Sequence, residues 1–142
     1  MCETKNTISS SALKTVLDRE KKTNGAIFTI KSKATGKEFT YKISRKLWNE
    51  KWWTFVKVET QYMNFKYLGS YLNGKLYFKG SQIVTPSANA ISFILGEVEK
   101  GRIGWLDSKM EIYHTGHCLC CGKTLTDSES INRGVGPVCA GI

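Results

Sequence analysis

His114, His117, Cys118, Cys120 and Cys121 lie within one short stretch, and Cys139 follows at the end of a Gly134-Val-Gly136-Pro137-Val run. Thiolates and imidazoles gathered this way suit zinc, a borderline-soft ion that prefers sulfur and nitrogen. Cys118-x-x-Cys121-Gly122 has the spacing of a metal-binding knuckle. The glycine after the second cysteine lets the backbone turn sharply, so that amides can face sulfur. A closed structural site takes four ligands. Cys118, Cys121 and Cys139 supply three. With only Ala140, Gly141 and Ile142 after Cys139, the fourth is sought among His114, His117 and Cys120. His114 ranks first, because it ends a predicted strand over 110–113 and Gly116 allows the chain to fold back. His117 and Cys120 each adjoin a ligand, and neighbours in a tight knuckle point apart, so they rank second and third. The expectation is one structural Zn2+ held by His114, Cys118, Cys121 and Cys139.

Such a site braces a fold and does not catalyse, since a catalytic zinc keeps a position open for water. Zinc deaminases need a His-x-Glu, and position 116 is glycine. The chain has two histidines, both beside the expected metal, which leaves none for a Ser-His-Asp set. Gly134 to Gly136 has no strand–helix unit around it, so its expected job is to carry Cys139 to the metal. Asp107, Glu111, Asp127 and Glu129 would hold magnesium only if they converged, which their spacing gives no reason to expect. No catalytic residue is assigned, and a non-enzyme is expected.

The elements that must position these residues follow from periodicity. Residues 1–8 are polar and expected to be disordered. Ser9 to Ser11 cap a helix running to about Lys22, with Leu13, Val16 and Leu17 on its apolar stripe, and Asn24-Gly25 ends it. Strands are expected over 26–31, 37–43, 52–58, 65–72 and 75–79, with hairpin turns at Thr35-Gly36 and Asn73-Gly74. Phe39, Tyr41 and Ile43 share one face of the second strand, opposite Glu38, Thr40 and Lys42. Thr85-Pro86 opens a helix over 86–100 with Ala88, Ile91, Ile94, Leu95 and Val98 on one side. The expected fold is α+β: a twisted antiparallel sheet of about five strands, one or two packed helices, and a small treble-clef or ribbon-like zinc module. The segments are 1–24 (polar terminus and helix), 25–108 (basic sheet domain) and 109–142 (zinc module, docked on the sheet).

Charge is uneven along the chain. Residues 1–66 carry fourteen Lys and Arg against six Asp and Glu, and residues 67–142 carry seven against six. A basic sheet attracts phosphate. Its aromatic residues interleave with lysines, and alternation sends most of the rings to the core. Trp52 and Trp53 are adjacent and cannot both enter one core, so one indole is left to stack on a base or anchor a partner. The candidate contacts are Lys31, Lys33, Lys37, Lys42, Arg45, Lys46, Lys51, Trp52 and Trp53. Five cysteines, three of them in a metal pattern, suit a reducing compartment, with Cys2 and Cys120 as thiols. No apolar run is long enough to span a bilayer, and no secretory signal is expected.

The His114-x-Gly-x-Cys-x-x-Cys-Gly-Lys-x-Leu-Thr…Gly-x-Gly-Pro-x-Cys-Ala-Gly tail, with the Thr-Gly-Lys-x-Phe-Thr-Tyr hairpin and the Tyr67-Leu-Gly strand, resembles an uncharacterised family of small phage and prophage proteins. The resemblance spans roughly residues 25–142. It implies a zinc-bearing accessory protein of a phage in the bacterial cytoplasm, with Cys118, Cys121, Cys139 and His114 at the family's metal positions, and it carries no activity. The leading expectation is nucleic-acid binding, to DNA or RNA. The alternative is an anti-defence inhibitor that binds a host defence protein or nucleoprotein complex. A metal-dependent nuclease is a distant third.

Overall fold

A computed structural model describes residues 6–18, 26–61, 64–77, 86–114, 116–120 and 123–136. The elements are β1 (Asn6–Ile8), α1 (Ser11–Asp18), β2 (Ala26–Ser32), β3 (Glu38–Trp48), β4 (Lys51–Gln61), β5 (Asn64–Leu72), β6 (Lys75–Tyr77), α2 (Pro86–Glu99), α3 (Ile103–Lys109), β7 (Met110–His114) and α4 (Ser128–Arg133). One antiparallel sheet of seven strands runs in the order β1-β7-β2-β3-β4-β5-β6. The α+β class stands, and the strand count of about five is corrected to seven. The two added strands are short and far apart in sequence. β1 lies in a stretch expected to be disordered, and it pairs antiparallel with β7, Asn6 opposite His114 and Ile8 opposite Ile112. β7 in turn pairs with β2, Ile30 opposite Ile112. All three expected segments therefore contribute strands to one sheet.

Strand alternation assigns the two faces. On one side stand Phe28, Ile30, Tyr41, Ile43, Val56, Tyr71, Met110 and Ile112, all buried. The helices cover this side. Tyr41 Oη donates to the Ser87 carbonyl at the start of α2, 2.7 Å away. Its burial raises the phenol pKa well above the usual value. Leu13, Val16 and Leu17 of α1 and Ile91, Ile94, Leu95 and Val98 of α2 fill the same core. Each large side chain fully removed from water contributes roughly 1.5–3 kcal/mol.

Turn chemistry sets the register. Asn73 and Gly74 both have positive φ, the two-residue turn expected for β5–β6. Asn49 and Glu50 also have positive φ and form an equivalent turn between β3 and β4, which the sequence signals less plainly because Glu is not a usual left-handed residue. A bulge between Val56 and Lys57 on the β4–β5 ladder accommodates Leu68 as an extra residue. Gly69 is needed beside it, because an added Cβ would stand 2.5 Å from the Tyr77 carbonyl oxygen.

The helix expected over 86–100 is α2. The first helix is described to Asp18, and its expected continuation to Lys22, like the Thr85 cap, lies outside the described residues. The stretch before β7 is a helix, α3, held by Asp107. Its carboxylate accepts the Ser9 hydroxyl at 2.6 Å and the Ser10 amide at 2.8 Å, tying α3 to the start of α1. No described helix is long and apolar enough to cross a membrane.

Candidate metal centre and open sheet face

β7 delivers its last residue, His114, to the covered side of the sheet, where it is buried. Its Nδ1 accepts the Gly116 amide at 2.9 Å. That places the ring proton on Nε2, which donates to the Ile131 carbonyl of α4 at 2.7 Å. Both ring nitrogens thus hold backbone groups, and His114 pins α4 to the sheet.

Beyond it the chain makes a small hairpin. His117 bridges Thr124, the Leu125 amide donates to Gly116 O at 2.8 Å, and the Cys118 amide donates to Lys123 O at 2.8 Å. Asp127 caps α4 by accepting the Ser130 amide at 3.0 Å. Those hydrogen bonds hold its carboxyl below the usual range. Gly134 ends α4 at φ 77°, packed against Ile8 and Ala12. The chain then returns over the knuckle, where the Leu119 amide meets Gly134 O at 3.0 Å and the Gly136 amide donates to Cys118 Sγ at 3.4 Å.

A buried sulfur that receives a backbone amide is suited to carry charge, as a zinc-bound thiolate must. Cys118 is buried and receives this amide. Cys120 is also buried, and His117 is exposed, its Nδ1 3.5 Å from Thr124 Oγ1. Cys121 and Cys139 lie outside the described residues. Among the described residues no three of His, Cys, Asp and Glu converge. The four carboxylates weighed for magnesium do not gather. Asp107 holds Ser9 and Ser10, Glu111 accepts the Tyr113 hydroxyl and pushes that phenol up to about 12, Asp127 caps α4, and Glu129 is exposed in its first turn.

The other face of the sheet is different. Among the described residues, none of the side chains that alternation sends to it is buried, and the four described helices lie on the opposite side. Trp48, Trp53, Phe55, Phe65, Tyr67 and Tyr77 stand on this open face. Trp53 meets Trp48 at 6.1 Å and Tyr77 at 5.6 Å, both edge to face, and Phe55 lies 6.5 Å from Tyr67. Trp48 is 61% exposed and Tyr77 45%. The expectation that most rings enter the core is thus corrected. Phe28, Tyr41 and Tyr71 do, whereas a comparable group lines the opposite side, because the same alternation that buries one rank presents the next. Tyr62 and Phe78 lie outside the described residues.

The candidate lysines sort by face. Lys42, Lys46 and Lys51 join the rings, Lys46 opposite Trp53 and Lys51 opposite Trp48. Lys57 and Lys75, interleaved with the aromatics but outside the candidate contacts, belong with them. Lys57 stands directly opposite Lys42. Lys42 Nζ lies 5.7 Å from the Phe65 ring centre and Lys75 Nζ 5.1 Å from that of Tyr77. Lys31 sits between Glu38 and Glu111 in register, so its charge is balanced. Lys33 donates to the Asp107 carbonyl at 2.9 Å and Lys37 occupies the β2–β3 turn. Arg45 points to the covered side, buried, with its guanidinium on Thr54 Oγ1 at 2.9 Å, and offers no surface to a ligand. Trp52 and Trp53 do take opposite faces, each half-buried. Period-two alternation along β3 from Tyr41 would have excluded Arg45, and along β4 from Val56 and Val58 would have found Lys57.

Comparison with known proteins adds one relation. Residues 109–142 match DUF6011, a family of unknown function. The matched stretch is β7 with the hairpin, α4 and the returning chain. No curated protein and no solved structure matches.

Proposed function

We propose that this protein is a non-enzymatic nucleic-acid-binding accessory factor of a phage, braced at its C-terminal end by one structural Zn2+ and working in the bacterial cytoplasm. The observation that carries the reading is Lys42 facing Lys57 across adjacent strands on an open face that also bears Lys46, Lys51 and Lys75. Like charges directly opposite each other cost a sheet about 0.2–1 kcal/mol. A polyanion reverses that cost, since each neutralised phosphate releases counterions.

The zinc reading rests on donor chemistry. Cys118, Cys121 and Cys139 offer three sulfurs, and the amide on Cys118 supports a thiolate. His114 would have to surrender one of its two backbone hydrogen bonds to join them, which leaves His117 and Cys120 as competitors for the fourth position. The ion would supply folding free energy. Phage origin rests on the resemblance of the tail motif.

The test is fluorescence anisotropy of labelled single-stranded DNA, duplex DNA and RNA at low ionic strength, followed by a salt series. Binding with a steep linear fall of log K against log salt is expected, and failure of every probe at low ionic strength overturns the reading. A protein partner, such as a bacterial defence protein or nucleoprotein, is favoured by one observation. Phe93 of α2 and Trp105 of α3 form an edge-to-face pair at 5.8 Å on the helical side, 50% and 45% exposed. A host partner retained after nuclease treatment, and lost on Trp105→Ala, would support that alternative.

A further inference from the structure

The open face carries two chemistries at once, and their combination narrows the ligand. We propose that it binds single-stranded nucleic acid, with bases stacked on the rings of β3 to β6 and phosphates held by the lysines around them. This rests on the nucleic-acid reading above and specifies its substrate class.

A duplex offers phosphates but hides the faces of its bases. Its major groove, about 12 Å wide, admits a helix or a two-stranded ribbon. A seven-stranded sheet face is roughly twice too broad at the ordinary strand spacing. An open strand presents base faces and phosphates together, and so can use both chemistries of this face. Exposed rings contribute little to duplex binding, whereas unstacked bases lie on aromatic side chains irrespective of sequence.

The rings are arranged for such a strand. Trp48, Trp53 and Tyr77 form one contiguous group on β3, β4 and β6, and Phe55 and Tyr67 a second on β4 and β5. Together they cross four strands, about 14 Å, enough for a few nucleotides. Each group has cations at hand: Lys46 and Lys51 in register with Trp53 and Trp48, Lys75 on Tyr77, and Lys57 opposite Tyr67. Of the acidic residues, Glu38 and Glu111 lie around Lys31 and Glu59 opposite Phe65, while Glu50 sits in the β3–β4 turn next to Lys51. Lysine is depleted from protein–protein interfaces while aromatic residues are enriched there. A face rich in both is better matched to a strand of phosphates and bases than to a folded protein.

The experiment uses the full-length, zinc-loaded protein and four labelled probes of about 12 nucleotides, within the usual site size for such surfaces. They are unstructured DNA, unstructured RNA, a DNA duplex, and an abasic strand with the same phosphates. At least one of the unstructured strands should bind roughly tenfold or more tighter than both the duplex and the abasic strand, and the two arms decide between DNA and RNA. Trp48→Ala should lose about tenfold toward that strand and leave the abasic strand unchanged, while Trp48→Phe, which keeps a stacking plane, should retain most of the affinity. Trp48 is largely exposed, so the fold should tolerate the change. Tyr77→Ala, checked for native circular dichroism, repeats the test on a second ring. Lys46→Gln should weaken all four probes together. Duplex or abasic strand binding as tightly as the open strands, or indifference to both ring substitutions, overturns the inference and leaves nucleic-acid binding standing. Failure of all four probes at low ionic strength overturns both.

Discussion

The C-terminal knuckle and the open face of the sheet teach opposite lessons about where function is written. The knuckle declares itself in residue types: a few cysteines and glycines at fixed spacing, in the segment that follows β7 and includes α4. The open face has no motif. It exists because seven strands alternate and the four described helices settle on one side. One region reads as chemistry before any fold is known. The other acquires chemistry only from the fold.

If the knuckle is a metal-built unit, it should be the more fragile of the two. Binding free energy for structural zinc is of the order of 10–16 kcal/mol in small peptides, so this is the largest effect expected. Cys118→Ser should abolish stoichiometric zinc and strip amide-exchange protection from residues 116–136, while strands β3 to β5 stay protected. Zinc retained at one ion per chain, or undiminished protection, would break the distinction between the two regions.

His114 belongs to both sides of the comparison, since it lies on a sheet strand and grips α4. His114→Ala removes two buried backbone partners, each about 1–3 kcal/mol when left unsatisfied. A loss of several kcal/mol in a urea melt is expected, with zinc content unchanged in the protein that remains folded. Loss of zinc from folded protein would instead restore His114 to the ligand set, at the expense of His117 and Cys120.

The division shows how far the sequence could be read. α2, the β2–β3 and β5–β6 turns and the inward rank Tyr41 and Ile43 were legible, because proline, glycine and alternation act locally. β1 was not, since a three-residue strand has no local signal and its partners, β7 and α4, lie far along the chain. α3 has no local start signal, because Arg102 at its N-terminus makes no side-chain capping bond, and it is anchored by Ser9 and Ser10, distant in sequence, donating to Asp107 in its last turn. Arg45 was taken for a surface cation because charge predicts exposure, yet it pairs with Thr54 on the covered side. The role of His114 as a strap to Ile131 depended on where α4 came to rest.

The open face should show the reverse energetics: substitutions that weaken binding but strengthen the fold. Lys57→Gln relieves the repulsion with Lys42, so stability should rise by about 0.2–1 kcal/mol while affinity for the open strand falls and the salt slope becomes shallower. A residue retained against stability is retained for its ligand. If Lys57→Gln is neutral or destabilising in low salt, Lys42 and Lys57 are ordinary surface lysines and the face loses its strongest electrostatic argument.

The smallest effect belongs to the knuckle again, and its sign can be derived. Asp127 is exposed, and its carboxylate caps α4 chiefly through Ser130, which holds its pKa below the ordinary 3.8. A depressed folded pKa means that the ionised form favours the native state. The contribution is therefore complete above about pH 4–5 and is lost as pH falls through the lower folded value. Arg133, in the last turn of the same helix, adds a weaker attraction in the same direction. Asp127→Asn keeps an acceptor for the Ser130 amide but removes the titration. Below pH 4 the variant should lose less stability with acid than the parent, and at pH 7 the two should differ only slightly. Amide exchange at Ser130 and Ile131 reads this directly, because those protons report the cap and the first turn of α4 rather than the sheet. An acid response identical in parent and variant would mean that α4 is held by Ile131 on His114 and Gly134 on Ile8 alone, with the cap idle.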